Sequence, residues 1–196
     1  MILRELAAAA ALARLAASPA AAEVIQQSPE GFVVRTTAET TAAPGSAWSA
    51  LVAPAAWWNK AHTFSGDAAN LSLDPRPGGC FCEQLPLSPV APAGAPRGGV
   101  EHMRVVFADP GKALRMVGSL GPLGSEALTG TLTITLKPAG SGTRILWEYV
   151  VGGYMRYKTE EIAPAVDKVL SGQLASLVAA LGPAAPAPKT PPAKGR

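Results

Sequence analysis

The stretch WWNKAHTFSGDAANLSLDPRPGGCFCEQ, residues 57 to 84, gathers two adjacent tryptophans, one of the chain's two histidines and both of its cysteines. His62 can orient a ligand or carry a proton, because an unperturbed imidazole titrates near neutral pH. Followed by the turn formers Ser65, Gly66 and Asp67, it can equally cap a neighbouring backbone group. Glu83 has two readings. Facing an apolar pocket, with Glu101 joining it from a following strand, it would be an unpaired carboxylate of raised pKa and a candidate acid, base or cation anchor. Facing water, it would be an ordinary strand glutamate. Trp57 and Trp58 lie about 100° apart on a helix, so one should anchor that helix while the other lines a rim.

The cysteines are less informative. Cys80 and Cys82 point to one face of an extended strand with Cα atoms about 6.6 to 6.8 Å apart, at the upper edge of disulfide geometry. A bridge there would be strained, and the spacing favours two thiols packing as small apolar groups. C-x-C is also shorter than the common structural zinc spacings. His62 and His102 would have to converge on it to complete four ligands, and nothing in the sequence requires that, so no metal is expected. Stronger signatures are missing: the chain has no G-x-S-x-G elbow, H-E-x-x-H, phosphate-binding G-x-x-x-x-G-K-[ST] or G-x-G-x-x-G.

The elements that must hold these residues follow from periodicity. GFVVRTTAETT, residues 31 to 41, alternates as a half-buried strand with Phe32, Val34, Thr36 and Ala38 on one face. A helix follows around Trp48, Leu51 and Val52, closed by Pro54, and a second short helix can run from Ala55 to Ala61. EALTGTLTITL, residues 126 to 136, alternates leucine and isoleucine with threonine, which requires a sheet with one wet and one dry face. It forms a hairpin with TRILWEYVVGGY, in which Ile145, Trp147, Tyr149 and Val151 share a face. Another hairpin turns at Asp109-Pro110-Gly111, with Leu114 and Met116 on one face of its second arm. Residues 85 to 99, rich in Pro and Gly, form a long loop. Val166, Val169, Leu170, Leu174, Leu177, Val178 and Leu181 repeat at three and four residues, a long C-terminal helix starting at Pro164 after a separate turn at 159 to 162. The order predicts an α+β domain with an antiparallel sheet of about seven strands.

The ends differ from the middle. Arg4, an Ala/Leu run and Ala20-x-Ala22 read as a signal peptide over residues 1 to 22, giving a periplasmic or secreted protein whose domain spans 23 to 181. No later segment has the roughly 18 continuous apolar residues of a membrane span. From Gly182 to Arg196 the chain reads as a disordered Pro/Ala/Lys tail. The chain holds 17 Lys+Arg and 14 Asp+Glu, but the excess sits at the ends: residues 23 to 181 carry 12 and 13. A neutral body without a basic stripe argues against nucleic-acid binding.

Ala43-Pro44-Gly45-Ser46-Ala47-Trp48, the Trp57-Trp58 pair and the strand-opening Gly78-Gly79 together resemble the START-like or SRPBCC superfamily, over roughly residues 31 to 181. That superfamily includes polyketide cyclase-like and Hsp90-ATPase-activator-like proteins, and HTFSGDAANLSLDPRPGGCFCE is similar to an exported branch of it. The resemblance implies a helix-grip fold, in which a curved sheet wraps the C-terminal helix around a cavity for an apolar molecule. It also implies that Phe81 and Glu83 face inward. The expected cavity lining comprises Trp57, Trp58, His62, Phe81, Glu83, Glu101, Leu114, Met116, Leu128, Leu132, Trp147 and Tyr149. The implied function is binding of a small hydrophobic or amphipathic ligand without a cofactor. The alternative is cyclase- or hydrolase-type catalysis with His62, Glu83 or Tyr149 as proton carriers. Co-chaperone activity, as in the activator-like relatives, ranks last because it conflicts with export. No protein partner is indicated.

Overall fold

A computed structural model describes residues 21–182. Residues 1 to 20 of the expected signal peptide, and the expected tail beyond Gly182, lie outside the described residues. The chain forms β1 (Ala21–Ser28), β2 (Gly31–Thr40), α1 (Pro44–Leu51), β3 (Leu71–Leu73), β4 (Cys80–Gln84), β5 (Gly99–Asp109), β6 (Ala113–Gly118), β7 (Leu128–Ala139), β8 (Gly142–Gly153) and α2 (Thr159–Ala180). The strands make one antiparallel sheet in the order β1-β2-β8-β7-β6-β5-β4-β3, curved around α2 in a helix-grip α+β fold.

Period-2 alternation dictates which face turns to the helix. Phe32, Val34, Leu114, Met116, Leu132, Ile134, Ile145, Trp147, Tyr149 and Val151 are all buried, while Arg35 and Glu148 pair on the wet face. On α2, Leu170, Leu174 and Leu177 are buried against this apolar surface, because residues three and four apart share one side of a helix. Both expected hairpins form, β5–β6 and β7–β8.

The expected sheet of about seven strands is present, with eight among the described residues, and two other expectations need correction. The additional β1 pairs with β2 through a register shift between Val24 and Gln26, and that irregularity erases the alternation by which a strand is read. The expected second helix, Ala55 to Ala61, is instead two 3-10 turns, Pro54–Ala56 and Lys60–His62. The Asn59 side chain accepts the Ala61 N–H at 3.0 Å and starts the second turn afresh. Finally, α2 begins at Thr159 and runs continuously through Pro164. The proline removes one hydrogen bond, to the carbonyl of Glu160. Both residues are exposed, so the helix is interrupted on its solvent side, where an unpaired carbonyl is least costly.

Candidate functional site

A pocket of about 420 Å³ opens between the N-terminal half of α2 and two connecting segments. Ile162, Ala165, Val166, Val169 and Leu170 of α2 form one wall; their spacing of three and four residues keeps them on one helix face. Residues His62, Thr63 and Phe64 form the opposite rim, Leu120, Gly121 and Pro122 close the side, and Trp58 and His102 lie deeper. Phe64 is 59% exposed at this mouth, a large apolar side chain held in water beside an apolar hollow.

The middle of the grip is filled. Trp57 inserts beneath the sheet, donates its indole N–H to the Ala50 carbonyl at 2.8 Å, and meets Trp147 edge-on with centroids 6.0 Å apart. Only about 20 Å³ remains there, bounded by Trp57, Phe81, Met116, Leu132 and Trp147 among others, room for about one water molecule. Leu114 and Tyr149 are fully buried and Leu128 is half-buried against the core. Leu114, Met116, Leu128, Leu132, Trp147 and Tyr149 therefore belong to packed interior, not to the wall of the large pocket. Trp58, by contrast, reaches that pocket, donating its indole N–H to the His62 carbonyl at 3.0 Å. The two tryptophans divide into an anchor, Trp57, and a pocket-lining residue, Trp58, although not on a helix.

Phe81 and Glu83 are buried, 4% and 1% exposed. Glu101 is not with them. Phe81 pairs with Met103 and Cys82 with Glu101, so β5 carries one extra residue, His102, at a bulge. Such a bulge re-aims side chains: Glu101 turns outward to pair with Arg104, and His102 turns inward. The His102 Nε2 lies 2.9 Å from the Glu83 Oε2, and the same carboxylate accepts the backbone N–H groups of Phe64, at 3.0 Å, and Ser65.

These partners overturn the expectation of a raised Glu83 pKa. Burial pushes the carboxyl up, but hydrogen bonds from Ser65, Phe64 and His102 together outweigh it and hold the group below its ordinary value. His102 is also held below its ordinary value, since burial outweighs the attraction of Glu83. The pair is thus a carboxylate beside a neutral imidazole. The Nε2 proton is donated to Glu83, which leaves Nδ1 as the acceptor.

Tyr149 is not a free proton carrier. Its hydroxyl donates to the Gly118 carbonyl and accepts the Leu120 N–H, both at 3.2 Å, and burial pushes its pKa up to about 12. It instead fixes the chain that supplies Leu120, Gly121 and Pro122 to the pocket. Gln173 does similar work from α2: buried, it accepts the Asn59 N–H at 2.9 Å and ties the helix to the tryptophan loop. The sequence reading missed Gln173, Phe64 and the Glu83–His102 pair, and it placed Val166, Val169 and Leu170 only in the repeat of the C-terminal helix, without a place in the pocket wall.

Cys80 and Cys82 are joined in a disulfide, contrary to expectation. Their Cα atoms are 5.3 Å apart, well inside bridging range and closer than in a flat extended strand. β4 is short and lies opposite the bulge, where twist is increased. Among the described residues, one group of three possible metal ligands occurs, Cys80, Cys82 and Glu101, and its two sulfurs are bonded to each other.

Sheet and helix define a helix-grip α+β fold, with the pocket at one end of the helix. Solved structures with this fold include the Mll3558 protein from Rhizobium loti, 19% identical with a TM-score of 0.54 over 79% of this chain and 99% of that one. A protein from Rhizobium leguminosarum is 16% identical, with a TM-score of 0.55 over 84% and 98%. Ara h 8.0201 is 12% identical, with a TM-score of 0.52 over 77% and 97%. At these identities the likeness establishes the fold. No protein-family model and no curated protein matches the sequence.

Proposed function

We propose that the chain is an exported binding protein for a small apolar or amphipathic molecule, held between the N-terminal half of α2 and the segments 62–64 and 120–122. The observation that carries this reading is the 420 Å³ pocket, whose walls are mainly aliphatic and aromatic and whose polar groups are few, the composition of a small-molecule site. Its volume lies within the roughly 300 to 1,000 Å³ of such sites. A guest would place its apolar part against Val166, Val169 and Leu170 and a polar end near His62 or His102.

Titration with an environment-sensitive apolar dye tests this. Val166→Trp should fill the pocket and weaken dye binding about tenfold or more, with the unfolding midpoint little changed because Val166 is only half-buried. Equal dye affinity in the variant would refute the site. Export has its own test: the N-terminus of the native protein should be Glu23, two residues into β1. A mature chain beginning at Met1 would remove the export claim and restore the co-chaperone reading.

The second reading is catalysis of cyclase or hydrolase type, and the Glu83–His102 pair favours it. A neutral imidazole oriented by a carboxylate is a general-base arrangement, and His102 lines the pocket. On that reading His102→Gln stops conversion of a bound molecule while dye affinity stays within about twofold. Unchanged chemistry of the guest in the wild-type protein leaves binding as the function.

A further inference from the structure

The Cys80–Cys82 bridge has the surroundings of a reactive group rather than a structural staple. It encloses a single residue, Phe81, and the stabilisation a disulfide gives grows with the logarithm of the loop it closes, so this one lies at the bottom of that scale. Both cysteines are only half-buried, on the face of β4 opposite the buried Phe81 and Glu83. The two sulfurs and a carboxylate oxygen of Glu101 lie within 4.8 Å of one another. Arg104 bonds to that carboxylate and donates to the Gly78 carbonyl at 2.9 Å. Across the β4–β5 ladder, Arg104 is the partner of Cys80 and Glu101 the partner of Cys82.

We propose that Cys80 and Cys82 form a reversible thiol–disulfide couple that exchanges with a low-molecular-mass thiol, with Arg104 as its positioning residue. This does not depend on the pocket or its guest. A thiolate of the reductant attacks the Cys82 sulfur, the Cys80–Cys82 bond breaks, and a mixed disulfide forms on Cys82. Cys80 leaves as the thiolate, since Arg104, its cross-strand partner, offsets the charge of the Glu101 carboxylate beside the two sulfurs, and then takes a proton from water; a thiol stabilised as its anion is the faster leaving group. A second reductant thiolate attacks the mixed disulfide at the reductant's sulfur. Cys82 is released and protonated, and the reductant departs as its own disulfide. Two electrons and two protons pass from two thiols to Cys80 and Cys82.

The test is equilibration of the native protein in buffers of reduced and oxidised glutathione, followed by acid quenching, alkylation and mass measurement, with tryptophan emission recorded in parallel. The expected result is half-reduction at roughly millimolar reduced glutathione with emission still native, as for a labile, partly exposed disulfide. Arg104→Gln should require about threefold more reductant, since it removes a surface charge worth that much to the thiolate, while Arg104→Lys should restore the equilibrium to within about twofold. A bridge that stays oxidised across the whole series until denaturant is added would overturn the proposal. So would an Arg104→Gln equilibrium identical to that of the wild type.

Discussion

Glu83→Ala should lose about 3 to 4 kcal/mol of stability to urea unfolding, a large share of the 5 to 15 kcal/mol typical of a domain. The part-buried Phe64 and Ser65 N–H groups and the buried His102 N–H all converge on this carboxylate, and a donor left without a partner costs about 1 kcal/mol where water can reach it and up to about 3 kcal/mol where it cannot. Water entering from the pocket would offset part of that sum. The same substitution frees the rim that carries Phe64, so dye binding should fall together with stability. A cost under about 1 kcal/mol would mean that Glu83 does not hold the rim.

Acid should act on the same pair. Both groups have folded values held below their ordinary ones, 4.5 for Glu83 and 6.5 for His102. The unfolded chain therefore binds the extra protons, and stability falls as pH falls. The His102 contribution is fully present above its ordinary value of 6.5 and is lost on descending through its lower folded value. The Glu83 contribution is present above 4.5 and is lost further down. Urea midpoints measured from pH 8 to pH 4 should drop, beginning near neutrality.

Gly130→Ala should be comparably damaging for a different reason. Gly130 lies on β7 where the Tyr149 side chain crosses it, and a Cβ there would sit 2.2 Å from the Tyr149 hydroxyl oxygen and 2.3 and 2.4 Å from two of its ring carbons. The ring cannot step aside, since Tyr149 is fully buried and its hydroxyl is engaged with Gly118 and Leu120. Overpacking of this kind costs about 1 to 3 kcal/mol, and the displaced hydroxyl strands two backbone groups at a similar further cost. A total of about 3 kcal/mol or more is expected by urea unfolding. A variant of wild-type stability would show that the ring is free to move.

The long alternating strands were legible because burial on one face forces a period of two. The run from Leu128 to Leu136 and its partner from Ile145 to Val151 face as their spacing predicts. What the sequence concealed lies where that period is broken. One extra residue at His102 exchanges the roles of two neighbours, sending Glu101 to solvent and bringing the histidine to Glu83. The shift after Val24 hid β1 in the same way. The pocket was misplaced because apolar periodicity shows which side of a strand is dry but not whether the space beyond it is filled. Trp57, arriving from a loop, fills the middle of the grip and leaves the hollow at the end of α2. The residues of α2 could not be divided into core and wall from sequence, since both uses require the same three-and-four spacing.

The location of the guest is the central claim, and amide chemical-shift mapping during titration with the apolar dye tests it most directly. The predicted shifts cluster on Ile162 to Leu170, His62 to Phe64 and Leu120 to Leu123, with Leu132 and Trp147 unmoved. Shifts centred on Leu132 and Trp147, or spread over the outer face of the sheet with α2 silent, would contradict it.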